Sequence, residues 1–307
     1  MISRKISPLQ KNITMNFFVY ISPWAAGFLA FVLFPVAYSF VLSFSDSTMG
    51  RMGRFVGFRN YMDVFTEDLF AVSVKNTLYY SVLGVPLQLV TAFFLASLLN
   101  MKLRGIGIFR TVFYLPSVIA GISTVLLWSW LLNSDYGLIN YFLYLMHIKG
   151  PNWLTDPKWA MPSIILMSLH TVGAQMLIFL AALQDIPKEL YESADIDGAG
   201  MIGKLFNIKI PQVSPTILFN LVLGIIGAFQ VFMQPYIFDS LNANSGRNLG
   251  MYVYVQYLFD YAFRYFEAGY GSAIAWILFV AILVITVVIM KTSRRWVYYS
   301  GESGDEK

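Results

Sequence analysis

The stretch Ala268–Met290, AGYGSAIAWILFVAILVITVVIM, runs for 23 residues without an Asp, Glu, Lys or Arg. At 1.5 Å rise per residue, about 20 apolar residues in a helix cross the hydrocarbon core of a bilayer. Five more charge-free runs lie upstream, at 12–45, 76–101, 111–134, 159–184 and 210–238, and Ala268–Met290 is the shortest of the set. Each run suffices for one crossing and none for two, so the pattern predicts an all-α integral membrane protein with six transmembrane helices. Runs of this length exclude a barrel, whose strands alternate over roughly 10 residues. An open irregular chain is excluded as well, because its backbone groups would go unpaired in lipid.

The composition points the same way. Of 307 residues, 57% are hydrophobic and 12% charged, whereas a soluble domain averages about 25% charged. There is no cysteine, which removes disulfides, thiolate chemistry and cysteine-based metal sites. The net charge of +4 calls for no nucleic acid. The two histidines, His147 and His170, form no metal-binding pattern, so no catalytic residue, metal or cofactor is expected in this chain. The first run is read as a retained helix. A removable signal has an apolar stretch of about 7–15 residues, and 12–45 is longer and holds Pro23 and Pro35.

Orientation follows from charge. The segments 1–16, 100–110, 184–212 and 291–307 carry 13 Lys and Arg, against 8 in the opposite set 45–75, 133–159 and 235–269. Cytoplasmic loops carry the excess of basic residues, so both termini and the 184–212 loop are expected on the cytoplasmic side. The expected organisation is a cytoplasmic segment 1–16 and a membrane domain 17–290, followed by a cytoplasmic tail 291–307. The spans are expected near 17–44, 76–99, 108–132, 160–183, 213–238 and 269–290. The opposite loops are rich in Tyr, Phe and Trp, residues that favour the headgroup level. Helices lying at the outer interface are expected at 138–148 and 250–266.

The stretch Gly198-Ala-Gly-Met-Ile-Gly-Lys-Leu205 contains G-x-G-x-x-G and nearly matches a P-loop. Neither nucleotide reading holds. The last P-loop position needs a hydroxyl for magnesium and here is Leu205, and the preceding Glu192–Asp197 is too charged for the buried strand both motifs require. The loop reads instead as two short amphipathic helices. Pro187 suits a first helical turn, and Pro187, Leu190, Tyr191 and Ala194 follow the spacing of one apolar face. Lys188, Glu189, Glu192 and Asp195 cover the other side, and Asp197-Gly198 makes a turn in which glycine can take positive φ. A second helix through Leu205 and Phe206 is expected to end before Pro211, with Ser214 and Pro215 opening the fifth span. The acidic face disfavours an anionic lipid surface and favours a groove on a partner.

Leu190-Tyr-Glu-Ser-Ala194, Asp197-Gly-Ala199, Phe206 and Ile208-Lys-Ile-Pro211 resemble the cytoplasmic signature loop of bacterial ATP-binding-cassette (ABC) importer permeases. Ser193 stands where that loop usually has alanine. Phe55–Tyr61, Asn76–Tyr79, Phe109–Pro116, Tyr136–Asn140 and Met176–Leu180 are similar to the carbohydrate-uptake branch, and within it to the first membrane subunit of the maltose-transporter type. Leu241–Asn248 departs from relatives that carry a Gly-Gly-Pro loop. The resemblance implies a type I importer permease that forms half of a sugar pathway in the bacterial plasma membrane. Its implied partners are a second homologous permease subunit, two cytoplasmic ATPase subunits that bind ATP and Mg, and an external binding protein. It implies ATPase-coupling roles for Pro187, Leu190, Tyr191, Glu192, Ala194, Asp197 and Gly198. The rival readings are a secondary transporter or channel of polar solutes and an intramembrane enzyme. Both need ionisable groups at membrane depth, and the six runs hold no Asp, Glu, Lys or Arg.

Sugars need hydrogen-bonding groups along the pathway. The polar candidates within the fourth and fifth spans are His170, Thr171, Gln175, Asn220, Gln230 and Gln234. Thr171 and Gln175, four apart, are expected to share a helix face. The resemblance, aligned on Gly198 and Pro211, places sugar contacts near His170, Thr171, Ala174, Gly224, Gly227, Ala228 and Val231. His170, Thr171, Gln175 and Gln230 are the expected lining groups. The alternative for such side chains is bonding between helices, worth about 0.6 kcal/mol each.

The orientation has a direct test. Because the native chain has no cysteine, a Lys204→Cys variant carries a single label site. It should resist a membrane-impermeant thiol reagent added to intact cells and react once the membrane is opened. Labelling from outside would reverse the topology.

Overall fold

The computed structural model describes residues 8–101, 105–119, 121–241 and 247–298, with side chains from Asn16 onward. Helix α1 (Pro8–Phe28) passes through a π turn, Leu29–Leu33, into α2 (Phe34–Leu42). Next come α3 (Arg59–Thr66), α4 (Asp68–Leu99), α5 (Ile106–Tyr114), α6 (Gly121–Leu131) and α7 (Leu138–Leu145). Helix α8 (Pro157–Ser168) and α9 (Gly173–Gln184) are followed by α10 (Lys188–Ile196), α11 (Met201–Lys204) and α12 (Ile210–Gln212). The last four are α13 (Ser214–Phe229), α14 (Met233–Leu241), α15 (Tyr254–Phe259) and α16 (Ala268–Ser293). Among the described residues no strand forms beyond the isolated bridges Ser45–Phe55 and Thr48–Arg51.

Four helical stretches are long and apolar enough to cross a membrane: Asn16–Leu42, Asp68–Leu99, Ser214–Leu241 and Ala268–Ser293. The runs 111–134 and 159–184 are bent pairs. Ile106–Val118 meets Gly121–Leu131 at 100°, and Pro157–Thr171 meets Gly173–Gln184 at 50°. Counting each pair as one span gives six. Each bend comes directly after a 3-10 turn, Leu115–Val118 or Leu169–Thr171, a tighter winding used in short pieces.

The chain divides into two compact units, one of residues up to Val64 with Phe259–Ile277, and one of Phe65–Leu258 with the segment from Leu278 onward. In the first, the Asn60 amide donates to the Ser43 and Ser45 carbonyls at 2.9 and 2.8 Å. Gly269 N–H donates to Ser47 O at 2.8 Å. The Phe40 ring meets Trp276 edge-on with centroids 4.8 Å apart.

In the second unit α4 packs along α9 and α13. Ala92 and Ala96, both at 0% exposure, let Val172, Met176, Phe179, Leu180 and Leu183 approach closely. Lipid gives no hydrophobic drive for helices to associate, so such close packing carries the cohesion. A second cluster joins Val85, Ile164, Ile165, Ala228 and Phe238 to Met251 and Val253. The Asn76 amide donates to the Leu249 and Tyr252 carbonyls at 2.7 and 2.9 Å, and Tyr254 N–H donates to Thr77 Oγ at 2.9 Å. These bonds seat the turn at 249–254 on α4.

Two elements differ from expectation. The helix predicted over 138–148 ends at Leu145, and His147 takes φ 58°. The stretch 250–266 is not one helix but a 3-10 turn, α15 and a π turn, Asp260–Arg264, with Tyr252 extended and Val253 outside any helix between the first two. Within the departing loop 241–248, residues 242–246 lie outside the described residues.

At the bend between α8 and α9, a Cβ on Gly173 would sit 2.5 Å from Phe113 O and 2.8 Å from Tyr114 Cα. Both are backbone atoms that cannot swing aside. Gly173→Ala should therefore cost about 1–3 kcal/mol and lower the thermal midpoint of the purified chain in detergent. Gly227→Ala, whose Cβ meets nothing within 4 Å, should leave the midpoint unchanged or raise it. Equal midpoints for the two variants would contradict the packing described.

Candidate functional site: a glycine-capped hairpin and a kinked helix

The hairpin begins at Pro187, the N-cap of α10. At the far end Ala199 N–H donates to Ala194 O at 2.8 Å and Gly198 N–H donates to Asp195 O at 3.2 Å. This 6→1 and 5→2 pair is a Schellman cap, and Gly198 holds its left-handed position with φ 70°. The Asp195 carboxylate accepts from Lys204 Nζ, which ties α10 to α11 across the turn.

The predicted apolar face splits in two. Tyr191 and Ala194 turn inward onto the cluster built from α4 and α9. Burial pushes the Tyr191 phenol up from its ordinary value, and its hydroxyl is buried without a hydrogen-bond partner. Leu190 stays exposed, as do Pro187, Glu189, Glu192 and Asp197. The larger outward apolar surface was not read from the sequence: Ile196, Met201, Ile202 and Phe206 are 60–87% exposed. The helical spacing of α10 finds its inward stripe but does not reach across the glycine turn to these residues.

The return arm also corrects an expectation. It does not stop before Pro211 but continues through a π turn, Leu205–Lys209, into α12 and ends at Gln212. Ile210 N–H donates to Leu205 O, five residues back. This wider turn relieves the clash that a proline ring imposes on an α-helical carbonyl. The fifth span then opens at Ser214 as expected.

The four pathway candidates all lie at helix breaks or beside one. His170 and Thr171 sit in the 3-10 turn between α8 and α9. The His170 ring packs 5.6 Å from Trp128, and its Nδ1 bonds Met167 O. A carbonyl only accepts, so Nδ1 carries the proton and a neutral ring keeps Nε2 as an acceptor. Thr171 is exposed and donates to Ser168 O at 2.9 Å. Gln175 lies past the bend, on α9, so the two do not share one uninterrupted helix face; its Oε1 is buried without a partner. Gln230 is exposed and caps the end of α13. Asn220 is instead buried and donates to Thr216 O at 3.0 Å. Sequence reasoning missed the brace behind this turn: Gln88 donates to Ser168 Oγ at 2.8 Å. Nothing local signals a contact between residues so distant in sequence. Among the described residues no group of His, Asp and Glu gathers to hold a metal.

Residues 15–298 match the family described as binding-protein-dependent transport system inner membrane component, and the chain belongs to that family. It is 38% identical over 288 residues to a probable ABC transporter permease, YesP, of Bacillus subtilis, covering 93% of this chain and 92% of the relative. It is 33% identical to the arabinooligosaccharides transport system permease AraP of the same organism, covering 90% and 88% of the two chains. It is 32% identical to the trehalose/maltose transport system permease MalF of Thermococcus litoralis, covering 90% and 93%. A chain in the crystal structure of a bacterial alginate ABC transporter, bound to a pentasaccharide-loaded periplasmic protein, shares the fold at TM-score 0.81 with 24% identity, over 94% of this chain and 98% of that one. The chain is thus a permease subunit of an ABC importer.

The cap generates a prediction. At φ 70° a side chain other than Asn or Gly costs roughly 1–2 kcal/mol. Gly198→Val should loosen the hairpin and speed proteolysis between Ala194 and Lys204, whereas Gly198→Asn should cut at close to the native rate. Equal cleavage of the two variants would remove the cap from the account.

Proposed function

We propose that this chain lines half of the pathway by which a bacterial cell imports a sugar or oligosaccharide across its plasma membrane. The other half belongs to a second, homologous permease subunit. An external binding protein delivers the sugar, and two cytoplasmic ATPase subunits bind ATP and Mg. Relatives named for arabinooligosaccharides, lactose and trehalose/maltose support the substrate class.

The hairpin carries the coupling part of this reading. It presents Leu190, Ile196, Met201, Ile202 and Phe206 to solvent beside the carboxylates of Glu189, Glu192 and Asp197. These apolar side chains lie outside the apolar runs, so lipid does not account for them, and an acidic rim disfavours anionic headgroups. A groove with an apolar floor and a basic edge fits that surface. Docked there, the segment 184–212 moves with the ATPase, and the membrane domain 17–290 follows. Segments 1–16 and 291–307 lie on the same, cytoplasmic side. At the bend of the fourth span, His170 Nε2 accepts from a sugar hydroxyl. Thr171, Gln175 and Gln230 add donors and acceptors along the path.

The test is reconstitution of the chain with its second permease, ATPase and binding protein. Sugar-loaded binding protein should stimulate ATP hydrolysis and drive uptake. Glu192→Lys reverses charge at the docking rim, where like charges cost several kcal/mol, and should lower stimulated hydrolysis about tenfold or more while membrane insertion stays normal. Alanine at His170, Thr171, Gln175 and Gln230 should alter uptake and leave basal hydrolysis intact. Native uptake of every accepted sugar by all the alanine variants would return these residues to a purely structural role.

A further inference from the structure

We propose that residues 294–298, beyond the end of the sixth span, clamp the root of the hairpin, with Ser214 as the positioning residue of the clamp. The proposal rests on the coupling reading above but on different contacts. Helix α16 ends at Ser293, which is buried and donates through Oγ to Met290 O at 2.8 Å. The chain then coils in a tight turn, with Arg295 N–H donating to Thr292 O at 3.1 Å and Trp296 and Val297 N–H donating to Ser293 O at 3.0 and 2.9 Å. That turn delivers Tyr298 N–H to Ser214 Oγ at 2.8 Å. Ser214 is itself 2% exposed and donates to Pro211 O at 2.6 Å.

One hydroxyl therefore joins three segments. A serine hydroxyl has one proton to give and lone pairs to receive. Here the proton goes to the last turn of the hairpin's return arm, and a lone pair receives the chain leaving the sixth span. Ser214 is also the first residue of α13. Beside it Val213, 1% exposed, sits in the same core cluster as Leu183, Ile186 and Ile208, so the junction is packed against the start of the hairpin as well as its end. A displacement of the hairpin is then passed to the fifth span and the end of the sixth together. Without the clamp it still reaches the fifth span along the chain, and the sixth span follows only through side-chain packing.

Three measurements test this. In the reconstituted complex, the Tyr298 amide should be protected from hydrogen exchange, and Ser214→Ala should remove the protection. Ser214→Ala and Tyr298→Pro should each lower sugar moved per ATP hydrolysed about two- to tenfold, the equilibrium factor of one net hydrogen bond. Tyr298→Pro deletes the donor together with the exposed phenol side chain and leaves the Ser214–Pro211 bond in place, whereas Tyr298→Ala keeps the N–H and should transport at the native ratio. Free exchange of the Tyr298 amide in the native complex would overturn the clamp, as would a native transport ratio in Tyr298→Pro. If the native complex hydrolyses ATP and moves no sugar, the coupling reading fails instead, and amide exchange alone decides the clamp.

Discussion

Hydrocarbon offers no hydrogen-bond partner, so every break in a membrane helix has to be repaired from within the protein. The spans of this chain are broken often, and the repairs are local. Around the bend of the fourth span, Ser168, His170 and Thr171 each turn a side chain onto a carbonyl three residues back. Ser117 does the same at the bend of the third, donating to Tyr114 O at 2.6 Å. The polar residues of these spans are thus explained first by backbone accounting. What that accounting leaves unused is the second nitrogen of His170 and the buried oxygen of Gln175.

Proline imposes the same constraint in another form. Pro35 and Pro211 each follow a π turn, and in both the preceding residue donates to the carbonyl five back: Phe34 to Leu29, Ile210 to Leu205. The proline lacks a donor and crowds the carbonyl four behind it. Winding the chain wider just before the ring removes the crowding without ending the helix. One solution serves a membrane span and a loop helix alike, which is why Pro211 does not mark the stop that its sequence position suggested.

The features legible in the sequence were those with one-dimensional causes. Charge-free length marked six apolar runs, Asp197-Gly198 marked a turn, and Ser214-Pro215 marked a helix start. What escaped depended on the third dimension. Hydropathy cannot show that the runs 111–134 and 159–184 bend, because a bent helix and a straight one are equally apolar. Periodicity placed Tyr191 and Ala194 on one face but could not say that this face turns inward, leaving Ile196, Met201, Ile202 and Phe206 outside. The Gln88–Ser168 bond and the Asn76 bonds to the 249–252 turn join residues too distant in sequence for any local rule.

The contrast between hairpin and spans bears on how work can pass between them. The six apolar runs hold no Asp, Glu, Lys or Arg, and on the coupling reading proposed above the input to them is mechanical. A mechanical input needs a stiff handle and compliant joints. The hairpin has the properties of a handle. Its turn is capped by two backbone bonds, its arms are tied by Asp195 and Lys204, and its inner face is packed through Tyr191 and Ala194. The joints are the breaks that follow the 3-10 turns 115–118 and 169–171 and the break after Phe229. Hydrogen-bond geometry is poorer in 3-10 winding than in an α-helix, so the helix leading into each of the first two breaks is already weakened. Two of the residues expected to meet the solute, His170 and Thr171, are in one of these turns, and Gln230 is at the break. On the proposed reading, a change in bend moves His170, Thr171 and Gln230 directly, without a separate linkage between the moving parts and these side chains.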